Sequence, residues 1–359
     1  MSNRTPPKLY LDEDVALIVN ALSDVVEDFA GKTVVMGGGR GFLGRYFEAV
    51  FNQVNETRLK KAPCKVILLD NLATAGRGAS DIVQGAHTRF VNADVTQPMD
   101  FDEPVDFVIN AAGIPSPYYY RAYPLETMDA SIKGTRNLLD LAVKKRARFT
   151  FFSSSEIYGD PDPRHVPTPE SYRGSVSCMG PRACYDESKR VGETLCYIYH
   201  GKFGVPTNTI RPFNVYGPGM AENDYRVLPN FASELKGGRA LKVYGTGKQT
   251  RTFCYVTDAV DGFLRVVARG VPGEAYNIGN PDPEIGIVDL VKRIESAIKV
   301  KVACDVIEYP DSYPADEPMR RCPDIRKARL QLNFHPSMTL DDGLRRFFAW
   351  TDKTYTGKV

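Results

Sequence analysis

The sequence passes from a β-rich run into a glycine-rich turn at Lys32-Thr33-Val34-Val35-Met36-Gly37-Gly38-Gly39-Arg40-Gly41-Phe42-Leu43-Gly44. Residues 46–54 then continue as a predicted helix, so the turn joins a strand to a helix. In this setting Gly38, Gly41 and Gly44 permit a tight turn, close approach of the backbone to a pyrophosphate, and close helix packing. The first N–H groups of the helix would face the phosphates. The stretch predicts the start of a dinucleotide-binding fold.

An acidic residue follows the second predicted strand. This strand covers residues 66–69 and ends in Asp70, which is followed by Asn71. A carboxylate at this place accepts hydrogen bonds from the adenosine ribose and repels a 2′-phosphate, so it favours NAD over NADP. Two alternatives remain open, because the pair could form a simple turn and Arg77 nearby could bind a 2′-phosphate.

Three further predicted strands end in polar or small residues. Asp94 and Val95 close the next strand, with Asp94 placed to reach the adenine. Ala111 and Ala112 lie near the end of the fourth strand and let the backbone approach a dinucleotide. The fifth strand leads into Ser153-Ser154-Ser155-Glu156. Strands that alternate with helices in this way predict an α/β fold, a Rossmann-type doubly wound parallel sheet.

Tyr185 and Lys189 supply a candidate general base. They are four residues apart in a stretch with a helical apolar stripe, so they share a helix face with about 5–6 Å between their Cβ atoms. A lysine cation beside a phenol favours the phenolate, which predicts a lowered pKa for Tyr185. Such a group could take a proton from a sugar or alcohol hydroxyl. Since the spacing also arises by chance, its weight comes from the surrounding pattern.

The composition excludes several kinds of partner. The 359 residues carry a formal net charge of +2, which offers no field for nucleic acid or an anionic membrane. The seven cysteines include no Cys-x-x-Cys pair, which favours a reducing cytoplasm, and the four histidines are too dispersed for a zinc site. No apolar run could span a bilayer, and no signal peptide opens the chain. We expect a cytoplasmic protein without a metal.

The length suggests two domains. Residues 1–31 are predicted as a polar arm and an amphipathic helix with an acidic outer face, packed on the domain edge; a subunit contact is the alternative. Residues 32–213 form the predicted dinucleotide-binding domain, to which a segment near 250–271 returns. Residues 214–359 form mainly a smaller, discontinuous substrate-binding domain.

These motifs, in this order, resemble the extended branch of the short-chain dehydrogenase/reductase superfamily, the nucleotide-sugar epimerases, dehydratases and decarboxylases. The resemblance runs from about Lys32 to about Leu344 and includes Arg211-Pro212-Phe213-Asn214-Val215-Tyr216-Gly217-Pro218. Within the branch the chain is most similar to the UDP-glucuronate decarboxylases. The residues that carry this are Gly180-Pro181-Arg182-Ala183-Cys184-Tyr185-Asp186-Glu187-Ser188-Lys189-Arg190-Val191 and Asp316-Glu317-Pro318-Met319-Arg320-Arg321-Cys322-Pro323-Asp324-Ile325.

The resemblance implies an NAD-dependent lyase that converts UDP-glucuronate to UDP-xylose through a transient 4-keto sugar. Tyr185 would take the proton of the C4 hydroxyl, Lys189 would hold the nicotinamide ribose, and Ser154 would hydrogen-bond the C4 oxygen. The implied cofactor contacts are Gly38, Gly41, Phe42, Leu43, Gly44, Asp70, Asn71, Asp94, Val95, Ala111, Ala112, Tyr185 and Lys189.

The resemblance also assigns residues to the sugar and the nucleotide. Glu156 and Ser155 would attend the proton delivered to C5, and Arg321 would bind the substrate carboxylate. The implied substrate contacts are Tyr120, Asn214, Tyr244, Arg251 and Arg321. The family forms homodimers through a four-helix interface, which implies that the Tyr185 helix and the helix near residues 125–144 pair here.

Alternatives on the same scaffold are a nucleotide-sugar 4-epimerase, a 4-ketoreductase or a dehydratase. Ser155 stands where dehydratases carry an aspartate, and Glu156 disfavours an epimerase more mildly. A catalytically silent NAD-binding regulator is a further alternative, against which the intact Tyr185 motif argues. The chain departs from the family at Ser131, Gly219 and Arg40, which leaves the nucleotide base and the sugar open.

Overall fold

The computed structural model describes residues 8–74, 85–309 and 318–358. Its strands are β1 Thr33–Gly37, β2 Lys65–Asp70, β3 Thr88–Asn92, β4 Phe107–Asn110, β5 Arg148–Phe152, β6 Thr207–Pro212, β7 Val215–Tyr216, β8 Leu241–Tyr244, β9 Thr250–Arg251, β10 Cys254–Tyr255, β11 Ala275–Ile278, β12 Ile285–Gly286, β13 Cys304–Ile307 and β14 Arg320–Arg321.

The helices complete the α/β pattern. They are α1 Asp12–Ala21, α2 Phe42–Thr57, α3 Pro117–Ala122, α4 Pro124–Lys145, α5 Ala183–Phe203, α6 Val227–Lys236, α7 Val256–Arg269, α8 Ile287–Ile298, α9 Arg326–Leu332 and α10 Leu340–Thr354. Short 3₁₀ turns lie at Leu22–Asp24, Val26–Phe29, Ser155–Tyr158, Pro163–His165 and Glu222–Asp224.

The main sheet has seven parallel strands within the described residues, in the order β11-β6-β5-β4-β1-β2-β3. Its inner strand β1 is buried along its whole length, as expected of a parallel strand covered by helices on both faces. Val34 is paired with Val66 on one side and with Phe107 on the other. The direction of strand succession changes beside β1, and ligands bind at the carboxyl ends of strands at such a point. The predicted fold class is confirmed.

Two strands of this sheet were not predicted from the sequence. β6 reads Thr-Asn-Thr-Ile-Arg-Pro and β11 reads Ala-Tyr-Asn-Ile, so neither shows the apolar run typical of a buried parallel strand. Their polar side chains are satisfied inside the protein. Asn277 accepts a hydrogen bond from Tyr158 at 2.7 Å and donates to the Thr168 carbonyl at 2.9 Å. The segment that returns to the sheet thus extends to Ile278, beyond the expected 250–271.

The N-terminal segment differs from its prediction. The helix ends at Ala21 and two 3₁₀ turns follow, and its face is not uniformly acidic outside, because Asp14 is fully buried. Asp14 accepts hydrogen bonds from Tyr255 at 2.8 Å, Tyr46 at 3.3 Å and Arg346 at 3.0 Å. The apolar side chains of the segment join the largest core cluster. The apolar face of the segment is therefore packed against the rest of the fold.

Small sheets beyond the main one bring distant residues together. β9 pairs with β12 and with β14, and the register of β9 with β14 places Arg251 opposite Arg321. These two arginines are 70 positions apart in the sequence, yet they lie side by side.

In the part of the chain that the structure describes, no helix is both long and apolar enough to cross a membrane. Within the same residues, no group of three histidine, cysteine, aspartate or glutamate side chains could hold a metal ion.

Candidate active site

A cavity of about 590 Å³ opens at the carboxyl ends of β1, β4 and β5. The large majority of the predicted site residues line it, although they come from segments spread over the whole chain. They are Gly38, Gly41, Phe42, Leu43, Gly44, Ala111, Tyr120, Ser154, Ser155, Glu156, Tyr185, Lys189, Asn214, Tyr244, Arg251 and Arg321. The cavity extends from the glycine turn, past Tyr185, to the two adjacent arginines.

Five predicted cofactor residues do not line this cavity. Asp70 accepts the backbone N–H groups of residues 40 and 72 at 2.9 and 2.8 Å and so shapes the turn. Asn71 donates to Asp94 at 3.3 Å, at the same edge of the sheet. The Val95 side chain packs in the core, and Ala112 donates its N–H to the side chain of residue 110. Arg77 lies outside the described residues.

The glycine turn is shaped to accept a dinucleotide. Gly38 has φ +81°, and a Cβ there would lie 2.7 Å from the Ala111 carbonyl oxygen. A Cβ on Gly44 would lie 2.5 Å from the Gly39 oxygen, so both positions need glycine. Gly41 caps α2 without a side-chain hydrogen bond, which leaves the first N–H groups of the helix to an anion. The residues present fit NAD.

Arg40 does not obstruct this turn, although it is bulky. Its side chain is 1% exposed and forms an ion pair with Glu48 at 2.7 Å. The guanidinium also lies over the Phe90 ring at 4.7 Å. The side chain is therefore directed into the protein and not into the phosphate-binding turn.

α5 carries the Tyr185–Lys189 pair into the cavity, but the expected effect of the lysine is absent. The Lys189 ammonium donates to the Phe152 carbonyl at 2.9 Å and lies 5.7 Å from the centre of the Tyr185 ring. Burial, opposed by a hydrogen bond with Ser154 and assisted by the charges of Glu156 and Asp186, raises the pKa of Tyr185 to about 12. The prediction of a lowered pKa is wrong for this structure, because desolvation dominates.

Burial also acts on the lysine itself, and lowers the pKa of Lys189 to about 8. A full positive charge next to Tyr185 is thus costly in this environment.

Tyr120 and Ser154 flank the phenol. The Tyr120 ring is stacked on the Tyr185 ring with centroids 5.5 Å apart and an interplanar angle of 18°. Ser154 accepts the N–H of Glu156 at 3.2 Å and hydrogen-bonds Tyr185. Ser155 is buried beside it. Tyr185 is therefore held between an aromatic face and a hydroxyl, as an oriented proton acceptor requires.

Glu156 is surrounded by arginines. It pairs with Arg321 through two hydrogen bonds, one of them Nη2 to Oε2 at 2.8 Å, and it also pairs with Arg182. Burial alone would raise the pKa of Glu156, but the positive charges of Arg182, Arg321 and Arg251 outweigh it and bring the pKa to about 2. Glu156 is thus a permanent carboxylate at neutral pH, and Arg321 is held by it.

Three charged residues of this region were not identified from the sequence. The Arg182 Nε lies 3.5 Å from the Asp186 Oδ2, and their i, i+4 spacing was the signal that could have revealed the pair. Arg226 lines the cavity, forms an ion pair with Asp224, and contributes its charge to the surroundings of Tyr185. No local pattern marks Arg226, because its position depends on the turn that precedes α6.

The residues expected at the nucleotide lie at the far end of the cavity. Asn214, at φ +41°, donates to the Thr252 carbonyl at 2.8 Å. Tyr244 is stacked on Tyr309 with centroids 6.1 Å apart and an angle of 26°. Arg251 donates to the Thr250 carbonyl at 2.8 Å.

The structure shows what surrounds two of the positions that depart from the family pattern. A Cβ on Gly219, which has φ +98°, would lie 2.3 Å from the Leu9 carbonyl oxygen and 3.3 Å from the Phe42 ring. The N-terminal segment therefore fills the space that a side chain at this position would need. Ser131 is buried, and its Oγ has no hydrogen-bond partner among the described residues.

Comparison with known proteins gives consistent results. Residues 34–279 match the model of the NAD dependent epimerase/dehydratase family. The chain is 38% identical over 317 residues to UDP-glucuronic acid decarboxylase 5 of Arabidopsis thaliana, covering 87% of this chain and 86% of the plant protein. It is 36% identical over 316 residues to UDP-glucuronic acid decarboxylase 1 of Xenopus tropicalis, covering 88% and 71%.

The fold is shared with solved structures. The dTDP-glucose 4,6-dehydratase of Streptomyces venezuelae, determined with NAD bound, superposes with a TM-score of 0.75 at 24% identity, covering 89% of this chain and 97% of that one. At this identity the likeness concerns the fold. The family match extends over more than half of the chain, and the decarboxylase relatives cover most of it. The chain therefore belongs to the NAD dependent epimerase/dehydratase family.

Proposed function

We propose that the protein decarboxylates UDP-glucuronate to UDP-xylose. The observation that carries the proposal is the position of Arg251 and Arg321, which line the same cavity as Tyr185 and lie opposite each other on paired strands. Two guanidinium groups near a candidate base suit a substrate that carries both a carboxylate and a hydroxyl to be oxidised. The relatives named as UDP-glucuronic acid decarboxylases support the same activity.

NAD, when bound, supplies the hydride acceptor and donor for C4 and a nicotinamide cation that favours the Tyr185 phenolate. The glycine turn and the start of α2 would hold its pyrophosphate, and Lys189 would hydrogen-bond the nicotinamide ribose. Asp70, at the edge of the sheet, selects a free ribose hydroxyl over a 2′-phosphate.

Tyr185 takes the proton of the C4 hydroxyl and later returns it. Ser154 hydrogen-bonds both the phenol and the C4 oxygen, and the stacked Tyr120 keeps water from the phenol and contacts the sugar. Because the phenol is buried and its pKa is raised to about 12, deprotonation depends on the positive charge of the nicotinamide ring that NAD would bring. This arrangement limits proton loss to the complex with substrate and cofactor.

Arg321 binds the sugar carboxylate, and Glu156 positions Arg321. A 4-ketone β to the carboxylate accepts the electron pair of the breaking C–C bond as an enolate, so no metal is required for loss of CO₂. Ser155 stands near the carbon that then gains a proton. An aspartate there would protonate a leaving hydroxyl, so a serine favours decarboxylation over dehydration.

The nucleotide binds to the segment after about residue 214. Tyr244 contacts the base, and Asn214 and Arg251 contact the diphosphate. In this proposal the main sheet holds NAD, and residues 214–359 supply mainly the substrate contacts.

The test is proton NMR of the purified protein with NAD and UDP-glucuronate, following the anomeric signals. We expect UDP-xylose and release of CO₂. UDP-galacturonate as product would instead establish a 4-epimerase, and a stalled 4-keto product would establish incomplete reduction. An unchanged spectrum, with other UDP-, dTDP-, CDP- and GDP-sugars converted, would show that the nucleotide or sugar was assigned wrongly. No conversion of any sugar, with NAD bound, would favour a silent regulator.

We further propose a homodimer formed through α4 and α5. These packed helices expose apolar side chains that a partner would cover, including Tyr197 at 77%, Ile198 and Phe203. Light scattering should give a dimer mass that Tyr197→Asp lowers toward the monomer. Leu330→Asp, at a leucine on α9 that is even more exposed than Tyr197, is the control and should leave the dimer intact. A reducing compartment such as the cytoplasm suits the seven cysteines, which are all free thiols.

A further inference from the structure

Glu156 and Arg182 separate the substrate-side cavity from a second cavity. The second cavity has a volume of about 400 Å³, and both side chains line it as well as the first. Met179, which also lines it, is 78% exposed, so the second cavity communicates with solvent. The two side chains thus have the reaction space on one side and an aqueous space on the other.

Asp186 lines the second cavity but not the first. It follows Tyr185 on α5 and is 6% exposed. Its Oδ2 lies 3.5 Å from the Arg182 Nε, whereas its Oδ1 has no hydrogen-bond partner among the described residues. A buried carboxyl oxygen without a partner is costly unless it is protonated or reaches a water molecule. The adjoining cavity offers room for that water.

The charges that face Asp186 come from three elements. They are Arg182 at the start of α5, Glu156 after β5, and Arg321 on β14. Burial and the Glu156 charge raise the pKa of Asp186 to about 7, while the arginines hold that of Glu156 at about 2. Below about pH 7 the proton shared by this carboxyl pair therefore resides on Asp186.

Decarboxylation needs a proton at this place. When the C5–C6 bond breaks, CO₂ leaves and the electron pair remains as an enolate, whose C5 must gain a proton. Glu156 has none to give, since three arginines hold it as a carboxylate. Asp186 is the carboxyl group next to it that does.

We propose that Asp186 stores the proton that is delivered to C5, and that the second cavity connects Asp186 to bulk water. This inference rests on the proposed decarboxylation. The proton of Asp186 passes through a water molecule between the two carboxyl groups to Glu156, which lines both cavities, and Glu156 passes it on to the enolate carbon, where a C–H bond forms. Asp186 is left as a carboxylate and regains a proton from water in the second cavity. One solvent proton is consumed for each CO₂ released.

The test uses the NAD-loaded protein and its Asp186→Asn variant, with UDP-glucuronate turnover measured from about pH 6 to about pH 9. We expect the variant to lower kcat by about tenfold to a hundredfold with little change in KM. We also expect the fall in wild-type kcat as Asp186 ionises to disappear in the variant and to return in Asp186→Glu. Glu187→Gln, at the half-buried neighbour on the same helix, is the matched control and should follow the wild type.

Infrared spectroscopy gives a readout that does not need substrate. The wild type should show a protonated carboxyl band at about pH 6 that disappears by about pH 9, and Asp186→Asn should lack it. If Asp186→Asn lowered kcat by the same factor at every pH and kept the wild-type pH profile, Asp186 would have only a structural role. That result would overturn the inference. A wild type that releases CO₂ while the variant matches its profile overturns this inference alone. A wild type that releases none overturns the proposed function and this inference together.

Discussion

Glu156 and Arg321 lie 165 residues apart in the chain and form two hydrogen bonds at the cavity wall, with Nη2 to Oε2 at 2.8 Å. The pairing of β9 with β14 delivers Arg321 to this position, and the 3₁₀ turn after β5 delivers Glu156. The contact joins the turn after β5, a strand of the main sheet, to β14, which belongs to the segments after residue 214. Chemistry at the cavity and stability of the fold therefore depend on the same pair.

Arg321→Met should destabilise the protein by roughly 3 kcal/mol, because it leaves a buried carboxylate with fewer partners. The pKa of Glu156 is lowered to about 2. Its stabilising contribution is thus present above the usual glutamate range near 4.5 and is lost as the pH falls through about 2. Removing Arg321 raises that pKa, so acid unfolding of the variant should begin at a higher pH. Urea unfolding and acid titration by circular dichroism measure both effects.

Arg320→Met is the matched control. The Arg320 side chain is 39% exposed and pairs with Glu284 at 2.7 Å, away from Glu156. We expect it to cost at most ~1 kcal/mol and to leave the acid midpoint unchanged. Equal effects of the two variants would contradict a specific role of the Glu156–Arg321 pair.

Tyr185→Phe should abolish most turnover while leaving the fold and NAD binding intact. Loss of a positioned acid–base group costs about 10² to 10⁴ in kcat, and the stacking on Tyr120 needs only the ring. Steady-state kinetics and NAD titration test this. Tyr197→Phe, on the exposed face of the same helix, should retain the wild-type rate. Turnover that survives in Tyr185→Phe would assign the proton transfer to another group.

Gly219→Ala should detach the N-terminal segment. Its Cβ would meet the Leu9 oxygen at 2.3 Å and its φ is +98°, so clash and backbone strain together should cost roughly 3 kcal/mol. The single tryptophan, Trp350, donates to the Lys8 carbonyl at 3.0 Å, so its emission should shift to the red as this segment leaves.

Gly204→Ala separates strain from clash. This residue also has positive φ, +68°, but nothing lies within 4 Å of an added Cβ. We expect a loss of only about 1 kcal/mol and unchanged tryptophan emission. If Gly204→Ala matched Gly219→Ala in both readouts, the contact with Leu9 would carry no weight.

Asp186 should make stability fall as the pH rises. Its folded pKa, about 7, is above the usual value of 3.8. Between these two pH values the folded protein binds this proton and the unfolded chain does not. The stability that the proton contributes is therefore fully present below about pH 3.8 and is lost as the pH rises through about 7. Asp186→Asn lacks this loss, so its free energy of unfolding relative to the wild type should increase by up to ~4 kcal/mol between about pH 4 and pH 7. Urea titrations at several pH values test this, and a constant difference would contradict it.

Local sequence was enough to predict five of the seven described strands of the main sheet and to propose several candidate site residues. The glycine turn after β1, the acid at the end of β2 and the four-residue spacing of Tyr185 and Lys189 are properties of neighbouring residues. Hydrogen-bond geometry over one turn or one strand end is fixed by such short spacings, so these features could be predicted. β6 and β11 could not be predicted from the sequence, because their polar side chains find hydrogen-bond partners only in distant parts of the chain.

Tertiary structure alone decided the electrostatics of the site. Whether Lys189 lowers the pKa of Tyr185 depends on desolvation, and the buried environment reverses the expectation from spacing. The grouping of Glu156 with Arg182, Asp186 and Arg321, and the filling of the space at Gly219 by Leu9, join residues far apart in the chain. Burial and through-space charge arise from packing the whole chain, so no local pattern contains them.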